Sequence, residues 1–106
     1  MVYENIITGV EEEKLLPYEK CLEYGASSLD NAELLAAIIR TGTNGLSSIQ
    51  LAEKLLENAG NLNGVYGMSV SELMQIKGIG KAKAVQICCI LELSRRIAKQ
   101  KARERL

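Results

Sequence analysis

The chain has 106 residues, 47% of them hydrophobic, with 13 Lys and Arg balanced by 13 Asp and Glu and with no His, Trp or Phe. That length suits one domain with one core. With no Phe or Trp, the core must be built from Leu, Ile, Val and Ala, which favours packed helices over a sheet. Losing histidine removes the commonest general base and the commonest metal ligand, and no cofactor is expected. Cys21, Cys88 and Cys89 form no CxxC pair. They point to a reducing, cytoplasmic setting and to burial as small hydrophobes. Neither a signal-peptide pattern nor a run long enough to span a membrane is seen, so no membrane partner is expected.

Residues 1–13 show no clear period and end in Glu11, Glu12 and Glu13, so a flexible arm is expected there. Residues 14–98 then read as one helical domain. Pro17 suits the first position of a short helix anchored by Leu22, with help from Cys21 and Tyr18. Gly25 should end that helix as a left-handed cap residue. Asp30 with Glu33 makes a capping box ahead of Leu34, Leu35, Ile38 and Ile39, a helix apolar enough to be central. Residues 40–45 break it, with Gly42 as the expected C-cap. Ser47 or Ser48 opens the next helix, whose apolar face is Ile49, Leu51, Ala52, Leu55 and Leu56, and Gly60 stops it. Residues 62–68 form a short helical turn.

Ser69 and Glu72 make another capping box, and Leu73 and Ile76 share one side of the helix that follows. Gly78 and Gly80 permit a reversal that residues with a Cβ would resist. Ile79 between them points inward. A last helix runs from about Lys81 towards Arg105, burying Ala84, Val85, Ile87, Cys88, Leu91 and Ile97. From Arg95 onward apolar residues are few, and residues 99–106 are expected as a basic helical extension or frayed tail.

The zero net charge conceals a division. Residues 1–76 carry four basic against eleven acidic side chains (−7), and residues 77–106 carry nine against two (+7). The basic part begins at the hairpin. The first N–H groups of a helix lack internal partners, and glycines there let a phosphate approach closely. Lys77, Lys81 and Lys83 surround that helix start. Cations in a first turn oppose the helix dipole at a cost of ~0.3–1 kcal/mol each, and a bound anion would reverse the sign. Lys77, Gly78, Ile79, Gly80, Lys81 and Lys83 are therefore the candidate phosphate-binding residues.

Leu73, Ile76, Gly78, Ile79, Gly80, Ala84 and Ile87, at these spacings, resemble the helix-hairpin-helix motif of DNA-binding proteins. In that family the hairpin grips the phosphate backbone without reading bases. The segment 30–56 looks like a degenerate first copy, with Arg40 as its one cation. The resemblance thus implies a compact all-α domain of tandem helix-hairpin-helix units, like the C-terminal region of RuvA. A closer likeness covers 17–98. The blocks PYEKCLEYGASSL (17–29), NAELLAAIIRTGT (31–43), LAEKLL (51–56), LMQIKGIGKAKA (73–84) and LELSRRI (91–97) resemble the N-terminal region of the RadC family. Tyr18 stands where that family often has a basic residue, and Cys21 where it usually has Leu.

The resemblance implies a non-catalytic DNA-binding module in a DNA repair protein. Family members usually continue into a C-terminal JAB/MPN domain with a His-x-His and Asp metal site, and nothing in these residues matches it. The competing expectation is a protein-interaction or self-association domain that keeps the fold without binding DNA. In that case the acidic and basic halves would pair between chains.

Overall fold

Four side-chain caps divide the chain into its helices. In the computed structural model, which describes residues 15–40, 42 and 45–105, Asp30, Ser47, Asn61 and Ser69 each accept a hydrogen bond from the N–H three residues on. At three of them the third residue answers, Glu33, Gln50 and Glu72 each accepting from the cap residue's N–H. Such reciprocal caps satisfy N–H groups that a helix start otherwise leaves unpaired. The resulting helices are α1 (Pro17–Tyr24), α2 (Asn31–Ile39), α3 (Ser48–Ala59), α4 (Leu62–Tyr66), α5 (Val70–Met74) and α6 (Lys81–Glu104), with a 3-10 turn, Ala26–Ser28, after α1. No strand occurs among the described residues. The domain is all-α, as the sequence suggests.

One apolar cluster joins the helices. Leu35, Ala36 and Ile39 of α2 meet Leu51, Ala52 and Leu55 of α3, and Val65, Leu73, Ala84 and Ile87 come from α4, α5 and α6. Leu51, Leu55, Leu73 and Val65 are fully buried, each contributing ~1.5–3 kcal/mol relative to exposure. The closest helix packing is α2 on α3, and α5 packs on the start of α6. Two helix-turn-helix units thus share a core, with α4 between them in sequence. No described helix is long and apolar enough to cross a membrane.

Several expectations need correction. Leu22 is 75% exposed and does not anchor α1. The helix is held instead by buried Pro17 and by the Lys20–Glu33 ion pair to α2, at 3.1 Å. Gly25 has φ 88° and ψ 159°, an extended mirror-image conformation rather than a left-handed helical one. It launches the 3-10 turn, where the Ser28 hydroxyl donates to its carbonyl at 2.7 Å. On α6, Val85 and Ile97 are exposed, because α5 and α2 cover only the narrow side holding Ala84 and Ile87. The cysteines are not core residues either. Cys89 is exposed, Cys21 and Cys88 are half-buried, and the Cys88 thiol donates weakly to the Met68 carbonyl. The expected arm, residues 1–13, lies outside the described residues.

The end of α2 differs most. Its C-cap is Arg40, at φ 67° and ψ −47°, whereas Gly42 was the expected cap. Gly42 serves a close approach: a Cβ there would sit 1.7 Å from the Leu46 carbonyl oxygen. Arg40 is the one non-glycine residue with positive φ among those described, a conformation costing about 1–3 kcal/mol. Its guanidinium lies 4.1 Å from the centre of the Tyr18 ring, which returns roughly 0.5–1 kcal/mol at an exposed site. Arg40→Gly is therefore expected to raise the unfolding free energy by about 1 kcal/mol, read as a higher urea midpoint at unchanged slope.

Candidate functional site

The hairpin between α5 and α6 is held from below. The Ile76 N–H donates to the Leu73 carbonyl at 3.1 Å, and the Ile79 N–H donates to the Ile76 carbonyl at 3.0 Å. Both isoleucine side chains are buried, at 6% and 3% exposure. The inward role expected of Ile79 is therefore present, but its N–H is spent inside the turn. Ile79 shapes the hairpin and leaves the expected set of phosphate donors.

The two glycines differ. Gly78 has φ 101°, a conformation in which a side chain is strained. Gly80 has φ −88° and ψ −175°, open to any residue, and a Cβ built there meets nothing within 4 Å. The chain reversal thus requires glycine at 78 and not at 80. Gly80 is also the N-cap of α6. It supplies no side-chain acceptor, and no acidic residue stands in the first turn. The helix closes with the Ala84 N–H donating to the Gly80 carbonyl at 3.0 Å. The N–H groups of Lys81 and Ala82 belong to the first turn, where an α-helix has no carbonyl of its own to offer them.

Around this end, Lys77 and Lys81 are exposed and Lys83 is half-buried. The six candidate residues therefore share one turn, though their parts differ. Gly78 and Ile79 set its shape, Gly80 and Lys81 present backbone, and Lys77, Lys81 and Lys83 carry charge. Arg40, the cation of the first helix-turn-helix unit, stacks on Tyr18 instead of joining a comparable lysine cluster.

The far half of α6 is a second basic feature. At 24 residues the helix is ~36 Å long, and every described residue from Leu93 on is exposed. Glu92 accepts hydrogen bonds from Arg95 and Arg96 at 2.8–3.0 Å. These two guanidinium groups, Arg95 first, pull its carboxyl from 4.5 to about 2. The stabilisation from this pair is complete above pH 4.5 and fades as the pH falls towards 2. Lys99, Lys101, Arg103 and Arg105 continue the positive surface.

A groove of about 360 Å³ runs between α2, α4 and α6, lined chiefly by Leu34, Ile38, Leu62, Tyr66, Ile90 and Leu91. Sequence reasoning did not find it. Its one signal was Leu34, an apolar residue beyond what the α2–α3 contact consumes. No group of three or more His, Cys, Asp or Glu that could hold a metal occurs among the described residues.

Comparison with known proteins gives a consistent result. The family model described as UPF0758 N-terminal matches residues 7–85, a span that includes the hairpin. A UPF0758 protein of Clostridium acetobutylicum is 48% identical over 88 residues, which is 83% of this chain and 38% of that protein. A UPF0758 protein of Clostridium botulinum strain Hall is 45% identical over 86 residues, 81% of this chain and 38% of its own length. The chain thus spans well under half the length of the curated relatives it matches. No solved structure matches it.

Proposed function

We propose, from the premise that this chain belongs to the UPF0758 family (the RadC family of the sequence resemblance), that it is a non-catalytic module that holds the DNA backbone without reading sequence. The observation that carries this reading is Gly80. The fold does not need a glycine there, and serine or aspartate would cap α6 better. An unclad backbone at that point is what a phosphate oxygen needs to reach the first-turn N–H groups. The lysines nearby oppose the dipole of the empty helix and complement it once an anion sits there.

On this reading Gly80 and Lys81 donate backbone N–H groups to a phosphate. Lys77, Lys81 and Lys83 supply charge to it and its neighbours. Contacts confined to phosphate position a protein without specifying sequence. Chemistry in a repair protein of this family would then fall to another part of the polypeptide, such as the JAB/MPN domain that the resemblance implies. The module's own partner is DNA.

The test is binding of labelled duplex, single-stranded and branched DNA, followed by fluorescence anisotropy across salt concentration. Affinity should fall steeply with salt. Replacing Lys77, Lys81 and Lys83 together by Ala should flatten the log–log salt slope by roughly 2.7 for duplex DNA if all three neutralise phosphates. An unchanged slope with unchanged affinity would remove the hairpin from the DNA contact.

A further inference from the structure

We infer that the apolar groove and the overhanging half of α6 form one self-complementary surface, and that its occupant is a second copy of this chain. The first observation is the overhang. From Leu93 to Arg105 every residue is exposed, and the side chains of Ser94, Arg95, Arg96 and Gln100 hydrogen-bond within α6. A helical end exposed along its whole length has little tertiary support. Yet it displays Leu93 and Ile97, 59% and 57% exposed, one helical turn apart.

The second observation is continuity. Ile87, Ile90, Leu91 and Ser94 of α6 line the groove. Continuing that face at helical spacing brings Ile97, Ala98 and Lys101 onto the overhang. Groove and overhang are thus successive parts of one face of one helix. Two copies crossing antiparallel near Ser94 would set Ile97 of each opposite Leu91 of the other. Each overhang would then fill the other's groove, an isologous contact with two-fold symmetry.

Charge selects this occupant. The overhang carries Arg95, Arg96, Lys99, Lys101, Arg103 and Arg105 against Glu104 alone. The body it would lie on, residues 15–76, carries seven acidic against three basic side chains. A chain of zero net charge with its two signs separated is complementary to itself.

The experiment is analytical ultracentrifugation of the whole chain over a range of concentrations, at low and high salt and without DNA. A reversible dimer that weakens with salt is expected. Ile97→Glu, on a residue remote from the core, should weaken it at least about tenfold while leaving the circular dichroism and the urea midpoint of the monomer unchanged. Ser94→Cys in a Cys89→Ser background should form an interchain disulfide on mild oxidation, and Gln100→Cys in the same background should not. A monomer at every concentration, or a dimer indifferent to Ile97→Glu, overturns the inference. Neither result bears on the DNA reading, since Ile97 and Ser94 lie far along α6 from the hairpin lysines.

Discussion

Gly80→Asp is expected to stabilise the domain and abolish its affinity for DNA. The dihedral angles of Gly80, −88° and −175°, nearly coincide with those of Asp30, −80° and 178°. Asp30 already caps α2 through the Glu33 N–H at 2.8 Å. An aspartate at 80 therefore enters a backbone shaped for it, with open space for its Cβ. Replacing a glycine cap by aspartate gains a few tenths of a kcal/mol. The carboxylate also meets the positive end of α6 and the neighbouring lysines, worth ~0.3–1 kcal/mol more. The combined gain should be roughly 0.5–1 kcal/mol, visible as a raised urea midpoint. For a phosphate the same carboxylate occupies the acceptor position and repels it, and such like-charge contact costs several kcal/mol. Affinity should then fall by more than about a hundredfold. Stability and binding move in opposite directions, so misfolding cannot mimic the result. A stabilised variant that still binds DNA like the parent would sink the hairpin reading.

The parts of this fold that were legible in the sequence are those governed by local chemistry. Asp30 and Ser69 declared helix starts because a cap needs only a short oxygen-bearing side chain and a partner three residues on, while the choice between Ser47 and Ser48 for the third start was settled only by the structure, at Ser47. Leu73, Ile76 and Ile79 declared the inner face of the hairpin by spacing alone. What failed was the burial of faces whose cover depends on distant elements. Nothing near Leu22 announces that an ion pair from Lys20 to Glu33 will seat α1. Nothing near Val85 or Ile97 announces that only one narrow side of α6 is covered. Arg40 is a third kind of miss, since glycine is the usual residue at positive φ and the arginine there hid the cap. Within the candidate site, the lysines and glycines could be read directly. The consumption of the Ile79 N–H could not, because it depends on where the Ile76 carbonyl turns.

The two basic surfaces of α6 also separate physically. Lys77, Lys81 and Lys83 cluster where backbone N–H groups add direction to charge, so that end suits a fixed anion. Lys99, Lys101, Arg103 and Arg105 sit on an exposed helix with no such donors, where surface ion pairs are weak and salt-sensitive. In the proposed dimer that attraction needs apolar burial beside it, which Ile97 and the groove would provide. On the two proposals together, one helix would serve two partners at its two ends.

Leu73→Ala should be the most damaging single change in the hairpin unit. Leu73 is fully buried on α5, a helix of only five residues that is too short to persist by itself. Its carbonyl accepts the Ile76 N–H, so its side chain and its backbone both fasten the turn. Truncation to alanine in a core costs about 2–5 kcal/mol, a large share of the ~5–15 kcal/mol that holds a domain of this kind together. The cost should be near the upper end. Ile76 and Ile79 are fixed by the turn and can do little to collapse into the cavity. Urea unfolding should show a lower midpoint. Native-state hydrogen exchange should show the amides of residues 70–90 losing protection together, while those beyond Arg95, already exposed, barely change. Should the variant lose less than about 1 kcal/mol, or should residues 76–80 keep their protection, the hairpin would owe its shape to something other than this anchor.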